Sequence, residues 1–414
     1  MPENVVIVGA RRTPIGAFQG ALAPVTAPQL GTVAARAALE DSGLEPSQLQ
    51  EVILGCVLAA GLGQAPARQA ALGAGIPAGV PATTINKMCG SGLKAVMMAA
   101  DQIRCGDIHA ALAGGLESMT NAPYLLPKAR SGYRMGHGEV LDHMFFDGLQ
   151  SPFDGQLMGY FAEATAREYG FSRGEQDTFA AESVRRALQA LATGAFAAET
   201  TPVAVKSRKG ETVVGEDETP STCDVSKISS LKPAFAKDGT VTAASSSSIS
   251  DGAAALILTS ESMARRLGLR PLARIVGYAS HAQEPAWFTT APAGAIRKVL
   301  RKLDWAARDV DLYEINEAFA VVALAAMRDL ELDPTRVNAN GGACALGHPI
   351  GATGARLLVT LVHTLRRRKL RRGIASLCIG GGEAVALAVE ACESAAAARA
   401  TRSARAEQAD AVTA

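Results

Sequence analysis

The stretch Lys87-Met88-Cys89-Gly90-Ser91-Gly92 indicates the fold, because it is a glycine-rich turn placed directly before a strong helix pattern. Apolar residues recur at helical spacing through residues 93–100, Leu-Lys-Ala-Val-Met-Met-Ala-Ala. A second turn, Gly347-His348-Pro349-Ile350-Gly351-Ala352-Thr353-Gly354, also precedes a helix pattern. Glycine permits a sharp bend between strand and helix, and the repeat of this arrangement hints at an internal duplication.

Short apolar runs alternate with longer helical patterns along both halves of the chain, as expected for βαβ units in an α/β protein. Strands are predicted at 5–8, 51–57, 110–113, 272–276, 312–315, 337–339 and 374–379. Helices are predicted at 29–41, 90–104, 293–303 and 352–368.

The alternation lapses between about residues 118 and 250, where loops, two helices (158–168 and 173–193) and a hairpin near 206–213 are predicted. We interpret this segment as an inserted loop domain. The end of the chain is rich in Ala, Ser, Arg and Glu without an apolar period, which predicts disorder. The predicted division is an N-terminal half (1–118), the loop domain (119–250), a return to the N-terminal half (251–271), a C-terminal half (272–391) and a disordered tail (392–414).

Length and charge limit the classes of function. At 414 residues the chain exceeds the size of a single hydrophobic core, so two or more domains are expected. With 41 basic and 40 acidic residues, the net charge of +1 provides no field to hold nucleic acid or an acidic membrane surface.

The cysteines indicate a reducing environment. The chain has seven, an odd number, and they are scattered without a CxxC pair, so neither a disulfide framework nor a zinc site is expected. No leader pattern precedes the first strand, and no apolar run reaches the ~18 residues that cross a bilayer. The sequence therefore predicts a cytoplasmic protein.

Cys89 is the first candidate for chemistry, because it lies directly before a predicted helix. Unpaired amides and the helix dipole favour a thiolate there, and the adjacent glycines let a carbonyl group approach the backbone. The alternative is a buried cysteine that serves as a small apolar residue.

His348 is the second candidate, because it lies in a glycine-rich turn through which neither a helix nor a strand can continue. Such a turn holds the histidine side chain in one direction. As a general base it would take the proton of Cys89. The alternative is a histidine that caps the helix predicted from 352.

Cys378 and Asn316 also follow predicted strands. Cys378 ends the strand before Gly380-Gly381-Gly382, and Asn316 follows the strand 312–315. Catalytic groups are placed at strand ends in sheet enzymes. The alternatives are a core cysteine and a helix cap. The basic run 366–372 lies at the far end of its helix from the catalytic turn. We therefore reject a phosphate-binding or nucleic-acid-binding role for it and interpret it as solvated charge that complements the helix dipole.

Six motifs in one order resemble the thiolase family over residues 1 to about 392. They are Ala10-Arg11-Arg12-Thr13-Pro14-Ile15-Gly16, Asn86-Lys87-Met88-Cys89-Gly90-Ser91-Gly92, Gly114-Gly115-Leu116-Glu117-Ser118-Met119, Asn316-Glu317-Ala318-Phe319, Gly347-His348-Pro349-Ile350-Gly351-Ala352-Thr353-Gly354 and Cys378-Ile379-Gly380-Gly381-Gly382. The resemblance implies duplicated βαβαβαββ halves in five layers, α-β-α-β-α, with the loop domain inserted to cover coenzyme A.

The resemblance also implies roles for individual residues. Cys89 would carry the acyl group, His348 would draw off its proton, and Cys378 would act as base or acid at the α-carbon. One oxyanion site would use His348 with a water held by Asn316, and the other the amides of Cys89 and Gly380. The implied contacts to coenzyme A and the acyl chain are Ser247, Leu157, Met158, Ala243, Ala318 and Phe319.

Three departures from the family concern substrate binding. Leu157 stands where short-chain members usually carry a histidine, and Ala244-Ser245-Ser246-Ser247 replaces the usual Gly-Asn-Ala-Ser. A basic residue generally found near Pro220 is missing, although Lys206, Arg208, Lys209 and Lys227 lie nearby in sequence.

The implied activity is the reversible Claisen condensation of two acetyl-CoA to acetoacetyl-CoA and CoA, without a metal or a permanently bound cofactor. The alternatives are a 3-ketoacyl-CoA thiolase of broader chain length, a decarboxylative condensing enzyme, which Cys378 argues against, and a non-catalytic acyl-CoA-binding protein. The stretch 124–153 resembles the loop of short-chain members, which implies a homotetramer formed as a dimer of dimers.

Overall fold

The computed structural model describes residues 3–207 and 210–392. The strands are β1 (Val5–Arg12), β2 (Gly16–Ala17), β3 (Glu51–Gly55), β4 (Ala82–Ile85), β5 (Ala110–Ser118), β6 (Tyr124–Leu125), β7 (Leu141–Asp142), β8 (Val203–Ser207), β9 (Gly210–Val214), β10 (Ser250–Ser260), β11 (Ala273–Ala282), β12 (Leu312–Ile315), β13 (Arg372–Ile379) and β14 (Glu383–Ala391). The α-helices are α1 (Ala27–Ser42), α2 (Pro66–Gly73), α3 (Ser91–Cys105), α4 (Met158–Tyr169), α5 (Arg173–Ala192), α6 (Thr219–Thr222), α7 (Glu261–Leu267), α8 (Ala291–Leu303), α9 (Ala320–Leu330), α10 (Ala343–Leu346) and α11 (Thr353–Arg368).

The main sheet repeats one topology twice. Its strand order is β12-β13-β14-β11-β1-β10-β5-β3-β4, with β2 paired to β10. In the first half, β1 is antiparallel to β10, β10 to β5, and β5 is parallel to β3 and β3 to β4. In the second half, β11, β14, β13 and β12 follow the same sequence of antiparallel and parallel pairs, and Val337 adds a parallel bridge to Tyr313. The predicted duplication is therefore present in the strand order.

The two half-sheets meet at a short seam. There β1 pairs with β11 through Val5 and Ile275, Val6 and Arg274, and Ile7 and Ala273. Side chains alternate across the strands, since Val5 and Ile7 face one core and Val6 and Val8 face another.

Five layers result from this alternation. The central core contains α3 and α11 packed against strands of both halves. The outer face of the first half packs on α1 and α2, and the outer face of the second half packs on α8 and α9. The predicted α-β-α-β-α arrangement is thereby confirmed.

Backbone contact holds the two central helices together. A Cβ placed on Gly92 would lie 2.8 Å from the amide nitrogen of Ala355, and one placed on Gly354 would lie 2.5 Å from the amide nitrogen of Leu93. Because neither position has room for a side chain, α3 and α11 approach closely where the two glycine-rich turns end.

The segment between β5 and β10 contains two small hairpins, β6-β7 and β8-β9, and the long helices α4 and α5. A π-helix at Met144–Leu149 lies between the first hairpin and α4. No helix of the described residues is long and apolar enough to cross a bilayer. The predicted tail falls, apart from Cys392, outside the described residues, as do Arg208 and Lys209.

Candidate active site

The turn before α3 holds Cys89 in a defined backbone conformation. Met88 has a φ of 47°, which side chains rarely adopt. Its amide donates a hydrogen bond to Asn86 Oδ1 at 2.9 Å, and its carbonyl accepts one from Ser91 Oγ at 2.6 Å. These two side chains compensate the strained conformation that turns Cys89 towards the cavity described below.

The thiol of Cys89 is half-buried and lies near two backbone amides, its own and that of Gly380. Burial raises the pKa of the thiol to about 11, whereas hydrogen bonds from these two amides act in the opposite direction. The resting group is thus a thiol, and the amides stabilise negative charge once it forms.

His348 is held in its turn by a glycine of unusual conformation. Gly347 has a φ of 105°, and a Cβ there would lie 2.1 Å from Ser250 Oγ. His348 Nδ1 lies 2.6 Å from Thr353 Oγ1, in the first turn of α11. Burial and the nearby Arg356 cation lower the pKa of His348 to about 3, so the imidazole is neutral near pH 7.

Asn316 lies behind His348 and is fully buried at the end of β12. Its Nδ2 lies 3.4 Å from His348 Nε2. Its Oδ1 is buried without a hydrogen-bond partner among the described residues. A buried amide oxygen of this kind is a suitable acceptor for a water molecule, which fits the water that the resemblance implies.

Cys378 is the residue before the last one of β13, and it is buried. Burial and the neighbouring Cys89 raise the pKa of the Cys378 thiol well above its ordinary range. Since the two thiols raise each other's cost of ionisation, they carry one negative charge more readily than two.

One cavity of about 650 Å³ joins these groups. Cys89, His348, Cys378 and Gly380 line it, and Asn316 contacts it through His348. The wall is mostly apolar, with Asp147 as its charged residue among those described. All six predicted contacts for coenzyme A and the acyl chain line the same cavity: Ser247, Leu157, Met158, Ala243, Ala318 and Phe319.

Hydrogen bonds join the serine-rich loop to the loop between β12 and α9. Ser247 donates hydrogen bonds to the carbonyl of Ala318 from its amide at 3.0 Å and from its hydroxyl at 3.1 Å. Ser245 is fully buried and its Oγ accepts from the amide of Thr242 at 2.8 Å. The hydroxyl at position 245 therefore supports the loop, and Ser247 keeps an oxygen that can accept a hydrogen bond at the cavity.

Glu117 is a buried carboxylate that the sequence analysis quoted within a motif without assigning it a role. It accepts hydrogen bonds from the amides of Val57 at 3.0 Å, Leu58 at 3.1 Å and Gly351 at 2.9 Å. Burial raises its pKa to about 7 against the effect of these amides. Glu117 thereby ties the His348 turn to the first half. The glycine-rich strand sequence around Glu117 gives no indication of these hydrogen bonds.

The family models match the chain in two consecutive parts. The thiolase N-terminal domain matches residues 5–262 and the thiolase C-terminal domain matches residues 269–391. With the repeated five-layer fold and the two-thiol cavity, these matches identify the class: the chain belongs to the thiolase family.

Similar proteins carry a more specific name. The chain is 52% identical over 387 residues to an acetyl-CoA acetyltransferase of Pseudomonas aeruginosa, covering 93% of this chain and 98% of the relative. It is 50% identical over 389 residues to an acetyl-CoA acetyltransferase of Cupriavidus necator, covering 94% and 99%. The structure of Bacillus anthracis acetyl-CoA acetyltransferase is similar with a TM-score of 0.93 at 46% identity, covering 94% of this chain and 99% of that one.

Proposed function

We propose that the protein is an acetyl-CoA acetyltransferase, which joins two acetyl-CoA molecules to acetoacetyl-CoA and CoA and catalyses the reverse thiolysis. The observation that carries the proposal is the convergence of Cys89, His348 and Cys378 on one apolar cavity. The identity of about half of all residues to relatives of that name supports it.

In the first half-reaction, Cys89 Sγ attacks the thioester carbonyl of acetyl-CoA while His348 takes the thiol proton. The carbon–sulfur bond to coenzyme A breaks, and the proton leaves with the CoA thiol. The amides of Gly380 and Cys89, which approach the sulfur, donate to the negative charge that develops on the carbonyl oxygen. The product is a neutral acetyl-Cys89 thioester.

In the second half-reaction, the Cys378 thiol passes its proton to His348, which is neutral again after the first step, and the resulting thiolate removes a proton from the α-carbon of a second acetyl-CoA. Once Cys89 is acetylated it can no longer ionise, so the like charge that would disfavour a Cys378 thiolate cannot form. The carbanion attacks the acetyl carbonyl, the bond to Cys89 breaks, and His348 returns a proton to the Cys89 sulfur.

The segment 119–250 is the part of the chain that we propose covers coenzyme A and joins subunits into a homotetramer. Large apolar side chains are exposed there: Tyr124 (68%), Met135 (91%) and Phe153 (69%). Large exposed apolar side chains of this kind are candidates for contacts between subunits. The free state of all seven cysteines supports a reducing compartment, and we propose the cytoplasm.

The proposal is tested with intact protein and acetoacetyl-CoA. Brief incubation followed by mass spectrometry is expected to reveal one added acetyl group on the peptide that contains Cys89. Turnover is measured in parallel as loss of acetoacetyl-CoA in the presence of CoA. Absence of both would favour a non-catalytic acyl-CoA-binding protein.

A second candidate, a 3-ketoacyl-CoA thiolase of broader chain length, is motivated by Leu157. This apolar side chain lines the cavity where the resemblance places a histidine. Thiolysis of acetoacetyl-, 3-ketohexanoyl- and 3-ketodecanoyl-CoA distinguishes the two. We expect the highest kcat/KM with acetoacetyl-CoA, and a clear preference for either longer chain would overturn the first proposal.

A further inference from the structure

A second cavity, of about 250 Å³, lies away from the two thiols and shares no lining residue with their cavity. Its walls are the C-terminal part of α5, the loop at 339–340 and the last turn of α11. Three arginines line it: Arg186, Arg367 and Arg368. Arg367 and Arg368 belong to the basic run for which the sequence analysis rejected a phosphate-binding role.

The three arginines differ in how fully their donors are used. Arg186 pairs with Glu182 at 2.7 Å and donates to backbone carbonyls of the 334–338 loop, the shortest of these bonds being 2.6 Å to Val337 O. Arg367 donates through Nη2 to Asn340 Oδ1 at 3.0 Å, and Arg368 through Nη2 to Ala339 O at 3.2 Å. Each guanidinium has five donors, so Arg367 and Arg368 keep most of theirs available.

The charge in the cavity is not balanced by its own walls. No acidic residue is among the described residues that line it. Glu182 pairs with Arg186 and is shared with Arg185. Burial is the largest cause that lowers the pKa of Arg368; repulsion by Arg367 and Arg186 acts in the same direction, and the buried Glu314 opposes them. Three cations held this close favour a bound anion, which would relieve their mutual repulsion.

We propose that this cavity is a binding site for a small oxyanion with two or more negative charges, bound by the forked guanidinium groups of Arg367 and Arg368. Planar guanidinium groups bind phosphate and carboxylate oxygens in pairs. The volume of about 250 Å³ is below the range of drug-sized ligands, so the site suits pyrophosphate or a small polycarboxylate.

The first experiment measures binding of pyrophosphate by isothermal titration calorimetry, with saturating CoA present so that the CoA site is occupied. The double variant Arg367→Gln/Arg368→Gln is expected to weaken binding at least about 10-fold, since two charge-assisted contacts are lost. The matched control is Arg265→Gln/Arg266→Gln, which removes two adjacent arginines from the last turn of α7 and is expected to bind as the wild type does.

Three results would overturn the proposal. The wild type would give no saturable heat with pyrophosphate, both double variants would lose affinity equally, or neither would lose it. A titration with citrate identifies the preferred oxyanion. Saturable binding of citrate that depends on Arg367 and Arg368 supports the same site for a polycarboxylate, and chloride at equal ionic strength is expected to compete only weakly.

A second variant tests the site without removing an arginine. Gln189 lines the cavity and is exposed, so Gln189→Glu adds a carboxylate of nearly the same shape beside the three cations. We expect weaker pyrophosphate binding, by about 10-fold, and a higher Tm in its absence. In the Arg367→Gln/Arg368→Gln background the gain in Tm is expected to vanish. Unchanged affinity in Gln189→Glu would contradict the proposal even if the arginine variants proved unstable.

Discussion

His348 Nδ1 lies 2.6 Å from Thr353 Oγ1, and this contact determines which ring nitrogen carries the proton. The Thr353 hydroxyl donates its one hydrogen to the carbonyl of Pro349 at 2.9 Å. With that hydrogen directed at Pro349, the hydroxyl oxygen accepts from His348 Nδ1–H, and we infer this tautomer from the two contacts together. Nε2 is left as the unprotonated nitrogen, and it is the one that lies near Asn316.

Replacement of Thr353 is expected to impair catalysis more than folding. Thr353→Val keeps the shape of the side chain and removes the acceptor, so the imidazole loses its fixed tautomer and orientation. We expect kcat to fall by about 10²-fold, since small misplacements of a catalytic group have effects of that size. The measurement is steady-state thiolysis of acetoacetyl-CoA beside the Tm of each variant.

Thr353→Ser is the matched control, because serine restores the hydroxyl. It is expected to recover most of the activity. A Thr353→Val enzyme with normal kcat would mean that the tautomer is set by another group.

The two thiols are expected to fail at different steps. Cys89→Ala removes the acyl acceptor, so both acetylation and turnover should disappear, with kcat reduced by about 10⁴-fold or more. Cys378→Ala should still gain an acetyl group from acetyl-CoA, yet form no carbon–carbon bond. Intact-protein mass spectrometry measures acetylation and an acetoacetyl-CoA assay measures bond formation. Equal loss of acetylation in both variants would refute this division of roles.

Acid should destabilise the fold partly through His348. Its pKa is about 3 in the native protein and about 6.5 when unfolded, so below pH 6.5 the unfolded chain binds a proton that the native protein does not. Stability is therefore lost as the pH falls from 6.5 towards 3. Between pH 6 and 4, we expect the wild-type free energy of unfolding to fall more steeply than that of His348→Gln, by about 1.4 kcal/mol per pH unit.

Urea unfolding at several pH values, followed by circular dichroism, measures this difference. Glu117 and Glu314, whose pKa values are raised by burial, titrate in both proteins, so their contributions cancel in the comparison. Parallel curves for the wild type and His348→Gln would place the acid sensitivity elsewhere.

The close approach of β5 to the His348 turn predicts a steric effect. A Cβ on Gly115 would lie 2.1 Å from the carbonyl oxygen of Gly351, with no flexible side chain to move aside. Gly115→Ala is expected to destabilise the protein by about 2–4 kcal/mol and to reduce activity by displacing the turn. Gly79→Ala is the control, because a Cβ there meets nothing within 4 Å. Calorimetric Tm values should separate the two variants, and similar values would contradict this prediction.

Leu157 offers a prediction about specificity. Leu157→His replaces an apolar contact of the cavity with a polar ring, which should disfavour longer acyl chains. We expect the ratio of kcat/KM for 3-ketohexanoyl-CoA over acetoacetyl-CoA to fall by about 10-fold, the scale of one or two methylene contacts. An unchanged ratio would mean that Leu157 contacts the pantetheine arm or solvent rather than the acyl chain.

The elements with a clear local pattern were predicted well from the sequence. The strand at 312–315 and the helices at 158–168 and 352–368 agree with β12, α4 and α11 to within a residue. The strand at 110–113 was predicted too short, since Gly114 and Gly115 read as a turn. Both glycines instead belong to β5, where the backbones of Ala254 and Gly351 leave no room for side chains.

Strands that are stabilised mainly by tertiary contacts were not predicted from the sequence. β10 begins with Ser-Asp-Gly, a turn-like start, although it is buried along its whole length between β1 and β5. β4 is a short polar strand at the edge of the sheet, and β14 starts directly after three glycines. β10 pairs with strands that lie far away in sequence, and β14 pairs with the distant β11 as well as with the adjacent β13, so local patterns did not predict these strands.

The candidate site was predicted where strand ends carry reactive side chains, as at Cys89, His348 and Cys378. Thr353 and Glu117 were quoted within motifs but given no role, because their importance lies in contacts made across the two halves. Glu117 reaches Gly351 over 234 positions of sequence. Only the three-dimensional approach of β5 to the second turn identifies it.

The repeated strand order has an evolutionary consequence. The turn that carries Cys89 follows β4, at the edge of the first half-sheet, and the turn that carries His348 follows the Val337 bridge, which takes the matching place beside β12. Each turn precedes a central helix. They occupy equivalent positions of the repeated topology, and each bears a different reactive group. Two such positions within one chain are free to differ, so that one carries a nucleophile and the other its base. A symmetric pair of identical subunits has no such freedom, since a single gene would specify both turns alike.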